Sequence, residues 1–136
     1  MKPHGVLESV LYCEDLPACE RFYRDVLGLD RISAQEGRHV FFHCGEGVLL
    51  LFDPRSTSTV ETEVDGSAIP LHGATGAGHL AFRIQPPEVD AWRDHLRENG
   101  VAIESEVSWP GGGRSLYFRD PAGNSLEVAT PDLWSS

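Results

Sequence analysis

Three residues far apart in the chain, Glu8, His79 and Glu127, have side chains that could do chemistry together: one imidazole and two carboxylates. Nitrogen and oxygen donors of this kind suit a divalent ion such as Mn²⁺, Fe²⁺, Ni²⁺ or Zn²⁺. Three protein ligands leave coordination positions free for water or substrate, which catalysis by a bound ion requires. The three can act as a set only if the fold turns them onto one surface.

Strand alternation supplies that surface. In His79 to Ile84, the apolar residues Leu80, Phe82 and Ile84 form one face, so His79, Ala81 and Arg83 form the other. In Ser125 to Ala129, Leu126 and Val128 suit the core, and Glu127 and Ala129 point to the face that carries His79. Near the N-terminus, Val6 to Cys13 reads as a strand with Leu7, Leu11 and Cys13 on the helix side. Glu8, Val10 and Tyr12 then face the cavity.

The elements around these strands occur twice in the same order. Asp15 is an N-cap for an amphipathic helix with Leu16, Cys19, Phe22, Tyr23, Val26 and Leu27 on one stripe, ended by Gly28. Short strands are expected at Arg31 to Gln35, Arg38 to His43 and Gly47 to Phe52. After the strand at His79, Pro86-Pro87-Glu88 opens a helix with Val89, Trp92 and Leu96 on one face, ended by Asn99-Gly100. Strands at Val101 to Glu106, Ser115 to Arg119 and Ser125 to Ala129 follow, with Asp120 to Asn124 as a turn. Glu8 and His79 are 71 positions apart and Gly28 and Gly100 are 72, so the chain reads as an internal duplication. The expected organisation is a first module over 1–54, an acidic Ser/Thr/Gly linker over 55–76 and a second module over 77–136, each too small to be stable alone. The position equivalent to Glu127 in the first module falls at Leu50, which offers no ligand.

The stretches Glu8 to Leu16, Phe22-Tyr23-Arg24-Asp25-Val26-Leu27-Gly28-Leu29, Gly78 to Phe82 and Tyr117 to Glu127 resemble the vicinal oxygen chelate superfamily of glyoxalase I, bleomycin-resistance proteins, extradiol dioxygenases and fosfomycin-resistance thiol transferases. The resemblance implies an α+β fold of two tandem βαβββ modules whose curved mixed sheets surround a metal cavity. It places His79 and Glu127 on ligand positions, and Glu8 where many members have His. Leu50 falls where glyoxalase I supplies a further acid, so the implied ligand count is three. In single-chain members this short the modules commonly pair across a homodimer, and Glu8 then completes the site of the other subunit. The implied activity is a glyoxalase-like lyase or isomerase step on a small substrate whose adjacent oxygens chelate the ion, with Glu8 or Glu127 moving a proton. The alternatives are a metal-free ligand-sequestering protein of the bleomycin-resistance type, an extradiol dioxygenase and a thiol transferase on the same fold.

Candidate substrate contacts are Tyr12, Arg83, Arg114 and Tyr117, with Trp109 as an aromatic wall. Arg119 reads as the rim of a salt-bridge network. Ordinary packing for Trp109 and rim ion pairs for the arginines are the competing readings. His43 and His72 could add a fourth ligand or an acid, although surface histidine is the simpler reading of both. The glycines Gly111-Gly112-Gly113 lack the GK[ST] ending of a phosphate cradle.

Composition narrows the partners. With 11 Lys and Arg against 21 Asp and Glu, the net charge of −10 disfavours nucleic acid and anionic membranes. Cys13, Cys19 and Cys44 make no metal-ligand spacing and no disulfide framework, which fits a reducing, cytoplasmic setting. No signal peptide or membrane span is read. The expected partners are a small-molecule substrate and a second copy of the chain.

Overall fold

The computed structural model describes residues 1–135 and divides into two compact units, Met1–Gly76 and Ala77 onward. In the first unit, strand β1 (Glu8–Tyr12) leads to helix α1 (Leu16–Asp25) and then to β2 (Asp30–Gln35), β3 (His39–Cys44) and β4 (Gly47–Phe52). Asp15 caps α1 by accepting the Ala18 N–H at 3.1 Å, as its place before Leu16-Pro17 predicts. Leu16, Cys19, Tyr23, Val26 and Leu27 are buried, and they pack on a sheet whose inner face includes Phe42, Leu49 and Leu51. Gly28 has φ +68°, the left-handed C′ conformation that ends the helix without Cβ strain. The sheet order is β1-β4-β3-β2, with β1 parallel to β4 and the other pairs antiparallel.

The segment expected to be a linker is more ordered than its composition suggests. It holds a short helix α2 (Pro54–Thr57) and a hairpin of β5 (Thr62–Val64) and β6 (Ser67–Ile69). Asp53 caps α2 by accepting the Arg55 N–H at 2.9 Å, and Arg55 bonds the same carboxylate through its side chain. Asp65 and Gly66 both have positive φ, as a tight two-residue hairpin turn demands. Local turn chemistry thus gave structure to a sequence with too few apolar residues to announce it.

The second unit repeats the first: β7 (His79–Arg83), α3 (Val89–Glu98) entered through a 3-10 turn at Pro86–Glu88, then β8 (Ser105–Ser108), β9 (Arg114–Arg119) and β10 (Ser125–Ala129). Its sheet order, β7-β10-β9-β8, matches that of the first unit. Leu96, Leu116, Phe118, Leu126 and Val128 are fully buried. Among the described residues, no helix is long and apolar enough to cross a membrane.

Two expectations need correction. The strand expected at Val101 to Glu106 begins only at Ser105, because the Val101 N–H closes the end of α3 on the Leu96 carbonyl and pairing with β9 starts at Glu104. Leu7, expected on the core side, is 77% exposed: it precedes β1, where only its carbonyl is engaged, by the N–H of Val48.

After β10 the chain turns back over its own unit in a 3-10 turn at Pro131–Trp134. Thr130 exchanges two bonds with Arg114, each 3.0 Å, and its hydroxyl also meets Asp132. The turn lies so close to Gly113 that a Cβ there would stand 2.4 Å from the Leu133 backbone. Gly113→Ala should therefore lower unfolding stability by about 1–3 kcal/mol through overpacking. Urea titration measures this, and an unchanged midpoint would show that the turn shifts freely.

Candidate functional site

Building the site begins with the Asp120-Pro121-Ala122-Gly123-Asn124 turn. Asp120 Oδ1 accepts the N–H groups of Ala122 and Asn124, and the Asn124 amide nitrogen donates to Asp120 Oδ2 at 2.9 Å. This fixes Asn124 Oδ1 to accept the Gly78 N–H at 2.8 Å, while the Ser125 N–H donates to the Gly78 carbonyl at 2.9 Å. The two strands that leave this clamp, β7 and β10, are thereby set parallel with His79 opposite Ser125 and Ala81 opposite Glu127. His79 and Glu127 consequently fall on one face as diagonal neighbours.

The His79 ring is oriented by its own strand pair. Nδ1 lies 3.0 Å from the Ser125 carbonyl oxygen, which can only accept, so Nδ1 carries the proton and Nε2 is left with its lone pair. That lone pair faces Glu127 Oε1 at 3.4 Å. Two acceptors directed at each other need a cation or a proton between them. A charge-assisted N–H···O bond would close to about 2.7–2.9 Å. Two ligands of a tetrahedral ion, each at about 2.1 Å, stand about 3.4 Å apart, so the donor set and its spacing fit a divalent ion.

Glu127 is held from behind. It is 6% exposed, and its Oε2 accepts the hydroxyl proton of Ser115, which is itself buried. Ser115 Oγ in turn accepts the Trp109 indole N–H at 2.8 Å. The indole can only donate and the carboxylate can only accept, so the chain runs one way into Glu127, with Oε1 turned to His79. Tyr117 lies opposite Glu127 in β9 with its ring stacked on His79, centroids 6.2 Å apart. Burial first, and then the Glu127 charge, push the Tyr117 phenol above its ordinary pKa, which keeps it a protonated donor.

These side chains line a cavity of about 750 Å³ within the second unit. The duplication explains why it lies there. By strand register, Ala81 and Ala129 occupy the positions that Val10 and Phe52 hold in the first unit. In the first unit that face is filled: Tyr12 Oη bonds His72 Nδ1 at 2.6 Å, His72 and Phe41 pack edge-on to Phe52, and the Arg38 guanidinium stands 5.3 Å from the Phe52 ring centre. The same register sets Leu50 against Val10, as Glu127 is set against Ala81.

Of the expected site residues, His79, Arg83, Trp109, Tyr117 and Glu127 come together at this cavity. Glu8 is exposed on β1 of the first unit, and among the described residues no three His, Cys, Asp or Glu side chains form an ion-binding group. In the first unit Tyr12 is engaged by His72, and His43 is exposed on β3. Arg114 is held by Glu106 at 3.1 Å and Arg119 by Glu104 at 2.7 Å, and neither lines the cavity. Ser115 and the wall formed by Pro131, Leu133 and Trp134 were not anticipated. Ser115 was readable as the same-face neighbour of Tyr117, two residues away, whereas nothing in the sequence marks the chain's return after β10.

Comparison with known proteins agrees with this architecture. The chain is 42% identical over its whole length, and the whole length of the other chain, to the crystal structure of a lactoylglutathione lyase from Agrobacterium tumefaciens, with a TM-score of 0.91. It is 29% identical over 113 residues to the metallothiol transferase FosB of Staphylococcus haemolyticus, covering 82% of this chain and 73% of that protein. The fosfomycin resistance protein FosX of Listeria monocytogenes shares the fold at 22% identity and a TM-score of 0.68, over 95% of this chain and 94% of that one. The sequence profile of one family matches residues 5–128, and the two βαβββ units find their place with it: the chain belongs to the Glyoxalase/Bleomycin resistance protein/Dioxygenase superfamily.

Proposed function

We propose that this protein is a metal-dependent enzyme of glyoxalase-like lyase or isomerase type, acting on a small substrate with two adjacent oxygens. The observation that carries the reading is the His79 Nε2 lone pair facing Glu127 Oε1 at 3.4 Å, two acceptors with a cation's spacing between them. Full-length similarity to a protein described as a lactoylglutathione lyase supports the choice of reaction class. A divalent ion, when bound, supplies Lewis acidity at the substrate's oxygens.

His79 and Glu127 are the ligands offered by the second unit, and Glu8 is the third, completing the site of the other subunit in a homodimer. Ser115 keeps Glu127 Oε2 occupied, so Glu127 serves as a one-oxygen ligand. Glu8, exposed and without an ion pair among the described residues, is the carboxylate that takes up and returns a substrate proton. Tyr117, kept protonated, is a hydrogen-bond donor beside Glu127 at the cavity. Thiol transfer at the same ion is the second reading, favoured by similarity to FosB.

Protein purified without added metal should contain near-stoichiometric metal by elemental analysis, and His79→Ala should lose it. Equal metal in the two proteins would exclude the site, and no metal in either would favour metal-free ligand sequestration. Ser115→Ala should weaken metal affinity by about 10–100-fold in a chelator competition, because the orienting bond to the ligand carboxylate is gone. For the paired copy, inactive Glu8→Ala mixed with inactive His79→Ala should recover activity if sites are shared between chains. Subunit exchange without recovery would place Glu8 in the site of its own chain or outside any site. A turnover screen of hemithioacetals, catechols and epoxides with thiols separates the two reactions.

A further inference from the structure

The cavity has a direction, and it specifies more of the ligand than two adjacent oxygens. His79, Ala81 and Arg83 are successive residues on one face of β7. At roughly 3.3 Å per residue, the Cα atoms of His79 and Arg83 lie about 13 Å apart. One end of the cavity carries His79 and the other carries Arg83, with Glu127 level with Ala81 between them and its Oε1 turned to His79. The floor is Ala81 and, level with Arg83, Ala129, both small enough to leave room for a ligand's body. Trp109 is fixed at the Arg83 end, because its indole bonds Ser115, the residue paired with Ala129, which is itself paired with Arg83. Trp134, 86% exposed, and Leu133 add apolar wall from the returning chain.

Charge gives Arg83 its meaning. The protein has a net charge of −10, and the nearby arginines are already occupied: Arg93 and Arg114 by Glu106, Arg119 by Glu104. Arg83 has no ion-pair or hydrogen-bond partner among the described residues, and it is the one Lys or Arg lining the cavity. A free guanidinium there favours a carboxylate or another oxyanion. The Glu127 carboxylate, whose Oε1 is turned to His79, repels an acid group placed beside it, so the ligand's acid group stands toward Arg83 and away from its chelating oxygens.

Resting on the proposed function for this site, we infer that its ligand is an elongated anion: adjacent oxygens at one end, a flat apolar body over Ala81 and Ala129, and an acid group at Arg83. Three probes separate these parts: catechol, phenylacetate and 3,4-dihydroxyphenylacetate, titrated calorimetrically into protein supplied with Mn²⁺. Wild type should bind 3,4-dihydroxyphenylacetate about tenfold or more tighter than catechol, the size of one charge-assisted contact. Arg83→Gln should erase that preference and leave catechol affinity unchanged, and Arg83→Lys should restore part of it. The same preference in wild type and Arg83→Gln, or none in wild type, would overturn the inference. Failure of the metal reading looks different. Catechol binding would then be indifferent to EDTA and to His79→Ala, while phenylacetate binding, which needs no ion, still weakened on Arg83→Gln.

Discussion

The site depends on a single bond outside it, the one the Asn124 side chain accepts from the Gly78 N–H. Parallel strands lack a connecting hairpin to set their register, so something else must align β7 with β10. The Asp120–Asn124 turn does so by making a side-chain oxygen the first rung of the ladder. A slip of one residue would send His79 to the helix side and Leu80 to the cavity. The polar turn is thus what allows an imidazole and a buried carboxylate to meet across two strands that are 46 residues apart at this rung.

Much of this was legible in the sequence because it follows from period and punctuation. The apolar stripe of α1, the capping Asp15 and the alternation in β7 and β10 are local patterns, and local sterics decide them. The placement of Glu127 beside His79 was readable for the same reason, as was the match of Leu50 to Glu127. The ordered segment over 54–69 and the C-terminal return were not legible, since they rest on capping by Asp53, on an Asp65-Gly66 turn and on the contact of Leu133 with Gly113. None of these shows as hydrophobic periodicity. Arg114 illustrates a further limit: its type suggested a substrate contact, but only its distance to Glu106 reveals that it is already occupied.

The duplicated units show how one architecture is put to two uses. Equivalent positions carry Phe52 and Ala129, Val10 and Ala81, Tyr12 and Arg83. Large aromatic side chains close the face of the first unit with contacts among Tyr12, Phe41, Phe52 and His72. Ala81 and Ala129 open that of the second. The open face gives up packing, and the fully buried layer of Leu116, Phe118, Leu126 and Val128 on the other side of the sheet keeps it rigid.

The hydrogen-bond chain from Trp109 through Ser115 to Glu127 also gives the molecule an optical sensor of its own. An indole N–H two bonds from the carboxylate feels any change in what that carboxylate holds, and its emission shifts with the polarity and strength of the bond it makes. Trp92, packed on His95 in α3, has no such connection and supplies an internal reference within the same unit. Trp134, 86% exposed at the cavity wall, emits as well, so the Trp109 signal is isolated in a Trp134→Phe background.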